Sequence, residues 1–242
     1  MNWRQRVLLV SVFLPLAGLA IDSAQAQQTR VGEAVFVQND VARVAGSLAM
    51  PISVGEGLMR DETVRTGAES ATKLVMIDST NLSLGPNASM TLDRTVLNDD
   101  HSYRDIAIKL TTGAFRFVTG HSEKAAYTIT TPVATIGVRG TVLDIMSQRG
   151  NTTVVLQEGA SRVCATGGDC TELTHPGDTA TITSSGVGRK STVKKSASSK
   201  WNFAKNCSAS PGLCSVTQAA QAAPSPVENA NASMETSALC GR

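Results

Sequence analysis

The chain has 242 residues, of which 41% are hydrophobic and 17% charged, and its formal net charge is +2. That length suits one domain with extensions. The near-neutral balance removes any general electrostatic argument for nucleic acid as a partner.

The chain opens with an export pattern. Arg4 and Arg6 precede an apolar run from Val7 to Ala20, and Ala24-Gln25-Ala26 follows as a small-x-small cleavage site. The run carries Ser11, Pro15 and Gly18 and is shorter than the roughly 20 residues that span a bilayer. The reading is a signal peptide over residues 1–26, cut after Ala26. Its removal takes away two arginines and one aspartate and lowers the net charge to about +1. No later apolar run reaches spanning length, so no transmembrane segment is expected after cleavage. The expected location is periplasmic or secreted.

From Val31 to Thr183 the apolar residues recur with period two. "VGEAVFVQ" alternates, and "ATKLVMID" and "TNLSLGPNASMTLD" follow with Leu82, Leu84, Met90 and Leu92 on alternate positions. "DIAIKLTTGAFRFVTG" places Ile106, Ile108 and Leu110 on one face, then restarts after Gly113 with Phe115 and Phe117. Gly, Asn, Asp and Pro punctuate each run, and no amphipathic helix interrupts them. The expected fold is all-β, with short twisted strands in a solenoid-like or flattened sandwich arrangement over residues 27–185.

"TTPVATIGVRGTVLDI", residues 130–145, places a cation and a glycine inside an apolar strand. Pro132 marks an edge or corner, because proline cannot donate to a ladder. Gly137 and Gly140 allow a bend or bulge there, with Thr141 following. Arg139 is then expected at a structural corner, its stem packed and its head on a carboxylate, with Asp144 or Glu158 as candidates. A corner outweighs ligand readout, since an unpaired buried charge is costly.

The five cysteines all lie beyond residue 160. Cys164 and Cys170 bracket the turn sequence "ATGGD", and Cys207 and Cys214 bracket "SASPGL". In an exported chain two local disulfides outweigh a metal site, because no CxxC occurs. Cys240 is left over. Residues 186–242 read as a basic, then low-complexity, largely disordered tail. Within it residues 199–214 form a stapled segment, in which Ser199 would cap a short helix carrying Trp201, Phe203 and Ala204. An aromatic pair there is expected to dock on the domain.

No catalytic constellation emerges. GxSxG, HExxH and Walker patterns are absent, and the two SxxK matches, at Ser70 and Ser191, sit in a strand pattern and a loose tail. "GVGRKS" at 186–191 lacks a βαβ setting. His101, His121 and His175 are scattered, and Asp99, Asp100 and Asp105 lack EF-hand spacing. Neither a metal nor a cofactor is implied.

The motifs together resemble the FecR domain. Gly57-Leu58 and "DETVRTGAESATKLVMIDSTNLSLGPNASMTLD" resemble that family's T-x-x-x-S-x-x-x-L-x-L-x-D-G-S core, with Asp78-Ser79-Thr80 where the family has D-G-S. "IKLTTGAFRF", "YTITTPVATIGVRGTVLDI" with its V-R-G-T ending, and "TTVVLQEGASRV" follow in the family's order. Pro132, Gly137, Arg139, Gly140 and Thr141 are the signature residues, read as structural. The resemblance implies a binding or signal-relay module. In anti-sigma regulators of the family such a domain follows a cytoplasmic segment and a transmembrane helix and contacts an outer-membrane transporter. Here the expectation is a stand-alone exported module, not an enzyme, that binds an envelope protein in sensing or signalling. A structural or carbohydrate-binding surface protein is the alternative. A glycan partner is possible, but one domain copy and few aromatics tilt the reading toward protein.

Overall fold

The computed structural model describes residues 29–97, 102–123, 127–184, 186 and 191–206. The leader, Cys207, Cys214 and Cys240 lie outside the described residues, as do His101, Asp99 and Asp100.

Among the described residues there are fifteen strands, formed by the period-two segments, and one short helix. In chain order the strands are β1 (Arg30–Gln38), β2 (Val41–Ala45), β3 (Leu48–Pro51), β4 (Gly57–Met59), β5 (Thr63–Thr66), β6 (Ala71–Met76), β7 (Asn81–Leu84) and β8 (Ser89–Leu97). Then come β9 (Tyr103–Val118), β10 (Tyr127–Thr130), β11 (Ala134–Gln148), β12 (Asn151–Ala165), β13 (Cys170–Leu173), β14 (Thr179–Ser184) and β15 (Ser191–Ser196), and the helix α1 (Phe203–Asn206).

Three strands depart from the expectation of short ones. β9, β11 and β12 run 16, 15 and 15 residues. Each changes neighbours part-way along. β9 pairs with β8 and β10 over its first part, then with β7 and β11 over its last. β11 pairs with β10 over Thr135–Gly137 and with β9 over Val142–Ser147. β12 pairs with β14 at its start and with β13 at its end.

The change falls at a glycine with positive φ in each case: Gly113 at 108°, Gly140 at 65° and Gly159 at 83°. Each bend also reverses which residues face inward. Ile106, Ile108 and Leu110 are buried before Gly113, and Phe115 and Phe117 after it. Ile136 and Val138 give way to Leu143 and Ile145, and Val154 and Leu156 to Val163 and Ala165. An extra residue in a strand shifts its period-two pattern by one, so even-numbered core positions become odd-numbered ones.

The continuous sheet thereby folds into two layers, the flattened-sandwich form of the expectation. One layer runs from β13 through β12, β11, β10, β9, β8, β5 and β2 to β3. The other runs from β15 through β14, β12, β11, β9, β7, β6 and β1 to β4. One apolar cluster lies between them, with Leu74, Leu84, Met90, Ile106, Phe117 and Leu143 among its members. Tyr103 Oη crosses from the first layer to donate to the Val31 carbonyl in the second (2.5 Å). The Phe117 and Tyr127 rings meet edge to face across the interior, 5.6 Å apart.

The sheet also continues past residue 185, where the sequence places the start of the tail. β15 pairs with β14 from Thr179–Ser196 to Ser184–Ser191. Its alternation is weak, with lysines at 194 and 195, as suits an edge strand that must not recruit another.

Candidate interaction site

The signature block is a hairpin followed by a bend. Thr131 N–H donates to the Ala134 carbonyl (2.9 Å), which puts Pro132 in the turn between β10 and β11. Thr131 Oγ1 accepts from Ala134 N–H (3.0 Å) and meets Thr152 Oγ1 (2.8 Å). Gly140 is the bend residue, whereas Gly137 pairs regularly with Arg162 and has no positive φ. The irregularity therefore begins after Arg139, at residues 140–141, and a second register shift follows between Val142 and Leu143. Thr141 N–H and carbonyl both bond to Thr119, which holds the bend against the end of β9.

The expectation for the arginine needs correction. Arg139 is exposed, and neither Asp144 nor Glu158 pairs with it. Asp144 lies beyond the bulge, on the other layer and on its outer face. Its partner is Arg116.

Arg116 and Asp144 stand directly opposite each other on β9 and β11. Arg116 Nε meets Asp144 Oδ1 at 2.7 Å and Nη2 meets Oδ2 at 3.0 Å, a bidentate pair. Gln157 Nε2 donates to the same carboxylate (2.9 Å). The register continues the row across the sheet as Ser83, Arg116, Asp144 and Val155. These side chains point away from the core. Nevertheless the side chains of Arg116 and Asp144 are only 4% and 0% exposed, so something outside the sheet must cover them.

That cover includes the segment after β15. Phe203 is fully buried, its ring 5.5 Å from the Arg116 guanidinium. Its N–H donates to Asp144 Oδ2 (3.0 Å). Ala114 packs under Phe203, with Met146 and Trp201 alongside. Ser199 Oγ accepts from Trp201 N–H (3.0 Å), but the cap of α1 is Asn202, whose Oδ1 accepts from Lys205 N–H (3.0 Å). The helix thus starts three residues later than a Ser199 cap would place it. Beside the recess lies a cleft of about 270 Å³ that shares Ala114 and Met146 with it.

Sequence reading anticipated the docking of Trp201 and Phe203 but missed their receptor. Arg116 and Asp144 each sit between core residues, on the face where a solvated charge is ordinary. Only strand register puts them together.

Cys164 and Cys170 pair across β12 and β13 and are disulfide-bonded. His175 belongs to a turn closed by Asp178. Among the described residues, no group of three or more His, Cys, Asp or Glu is placed to hold a metal. No helix among them is long and apolar enough to cross a membrane.

Residues 62–161 match the family model described as FecR protein. That span runs from the residue before β5 into the second half of β12, and it includes Arg116 and Asp144 but not Phe203. No curated protein matches. Two crystal structures of a Parabacteroides distasonis ATCC 8503 chain, described as "a putative anti-sigma factor", are similar at 13% identity. The TM-scores are 0.47 for the 2.50 Å structure and 0.46 for the 1.65 Å one. Each match covers 59% of this chain and 61% of that chain, so this chain spans about three-fifths of its length.

Proposed function

We propose that this chain, which carries a FecR domain over residues 62–161, is an exported module that binds a protein partner in envelope sensing or signalling. The observation that carries the reading is the Arg116–Asp144 pair. It lies on the outer face of the folded sheet, under a segment that belongs to neither layer. Charged groups arranged to accept a backbone N–H and an aromatic ring form a recognition surface.

The test is capture from an envelope fraction by the tagged chain, with reciprocal capture by the protein found. One envelope protein recovered in both directions is the expected result. Retention only on isolated cell-wall polysaccharide would move the reading to a carbohydrate-binding surface protein. Export is tested on the same material. The expected N-terminus is Gln27, and an intact Met1 in the membrane pellet contradicts it.

A further inference from the structure

The described part of the cover over Arg116 and Asp144 is small. α1 has four residues, far too few to persist as a helix without its docking contacts. Ala197, Ser198 and Lys200, which lead into it from β15, are exposed. Among the described residues its contacts include one buried ring, one N–H on a carboxylate, and the packing of Trp201. Such a segment belongs to the low-stability end of a fold and opens without unfolding the sheets beneath.

The receptor is more elaborate than burial requires. A buried ion pair contributes no more stability than apolar packing of the same volume. Here the pair presents two specific features together. Asp144 takes a free backbone N–H, and Arg116 takes the face of an aromatic ring. The footprint also extends past residues 201–206. The cleft lined by Pro86, Asn87, Thr112, Gly113, Ser147 and Gln148 adjoins Ala114 and Met146. Trp201 Nε1 is shielded from solvent with no hydrogen-bond partner among the described residues. A longer segment entering both recess and cleft would bury more than residues 201–206 do, and that difference is what displacement needs.

We infer that the recess of Ala114, Arg116, Asp144 and Met146 is a docking site for an aromatic-bearing turn of a partner protein, held in cis by residues 201–206 until that partner displaces them. This rests on the protein-binding reading above and assigns it a site.

The test uses the full chain and a fluorescein-labelled peptide of residues 199–206. The peptide should bind a Phe203→Ala chain, and bind the wild type about tenfold or more weakly, because the tethered segment competes at high effective concentration. Adding Asp144→Asn to the Phe203→Ala chain should remove binding. Asn202→Ala, which loosens the cap without touching the recess, should raise peptide affinity for the otherwise wild-type chain. It serves as the test variant if Phe203→Ala does not fold.

In a Trp3→Phe background Trp201 is the one tryptophan. Tryptophan-free peptides selected by phage display on the Phe203→Ala chain should carry an aromatic residue and shift Trp201 emission to the red when added to that background. Equal peptide binding to wild type and variant overturns the inference, as does binding to neither, or selected peptides that leave Trp201 unmoved. A concentration-dependent dimer lost in Phe203→Ala would make a second copy the occupant and overturn it too. An envelope partner captured equally by wild type and Phe203→Ala would overturn this site while leaving the interaction-module reading intact.

Discussion

A Cβ placed on Gly159 would lie 1.9 Å from the carbonyl oxygen of Gly140. The two glycines are the bend residues of adjacent strands, each with positive φ. The turn from one layer into the other is therefore made by two backbones packed against each other, with no room for a side chain on β12.

Gly159→Ala should accordingly be severe. A left-handed conformation costs a non-glycine residue about 1–2 kcal/mol. The overpacking adds about 1–3 kcal/mol, because the atoms met are backbone. Gly137→Ala is the control. The nearest atom to a Cβ there is 3.9 Å away and φ is not positive, so the change should stay within about 0.5 kcal/mol. Denaturant midpoints of the two variants measure the contrast. Equal losses would mean that Gly159 is not the constraint described.

The bends also explain what the sequence discloses and what it withholds. Gly113 was legible because the core residues change from even to odd across it, from Leu110 to Phe115. The same parity change occurs at Gly140 and Gly159, where the apolar runs are dense enough on both faces to conceal it. Pro132 as a turn residue was legible from its missing donor. The Arg116–Asp144 pair was not. The two residues are 28 positions apart, and their contact depends on register set by the bulges. Their burial depends on a segment beyond the sandwich. Arg139 drew attention because a cation in an apolar strand stands out, yet ordinary alternation with the buried Ile136 and Val138 points it outward.

Arg139→Ala should therefore leave stability unchanged to within about 0.5 kcal/mol, as for a surface substitution away from special features. Thermal unfolding of the purified variant checks this. A loss of several degrees in Tm would show that the side chain has a structural partner after all.

Arg116→Met should cost about 3–5 kcal/mol, because it leaves the Asp144 carboxylate buried without its cation. Arg116→Met with Asp144→Leu should recover part of that loss, since neither charge then remains while the Phe203 N–H and the Gln157 amide lose an acceptor. In a Phe203→Ala background the single Arg116→Met substitution should cost less, because water reaches the carboxylate. A double-mutant cycle read by denaturant unfolding decides the matter. A constant cost in both backgrounds would show that Phe203 does not seal the pair.

Acid stability should depend on Asp178. The Thr174 N–H is the main cause holding its carboxyl down to about 2, with the Lys195 ammonium and the His175 N–H assisting against burial. The bonds are 2.9 Å, 3.0 Å and 3.2 Å. A depressed folded pKa means that the unfolded chain binds the proton first. The contribution is complete above the ordinary value of 3.8 and is lost as pH falls from there through about 2. Asp178→Asn should lower Tm at neutral pH and show a shallower decline between pH 4 and pH 2 than wild type. Parallel curves over that window would rule the linkage out.

Alkaline stability should depend on Tyr127. Its hydroxyl donates to the buried Asp78 carboxylate, which also accepts from Ser122 Oγ (2.6 Å) and Thr80 N–H (2.9 Å). This network fastens the turn between β6 and β7, and the loop after β9, to β10. Burial first, and then the bond to Asp78, push the phenol up to about 12. The sign is opposite to that of Asp178. The neutral form is favoured in the fold, so the contribution is complete below the ordinary value of 10 and is lost as pH rises from 10 through about 12. Tyr127→Phe removes one partner from a buried carboxylate and should cost about 1–3 kcal/mol near neutral pH. It also removes the group that titrates. The Tm gap between wild type and variant should therefore narrow steadily above pH 10. Tyr103, which burial pushes further still, is common to both proteins, and Tyr127 is the last of the causes of its shift. A gap that stays constant to pH 12 would mean that Tyr127 ionises as readily in the fold as in the unfolded chain, and the network would not be the buried clamp described.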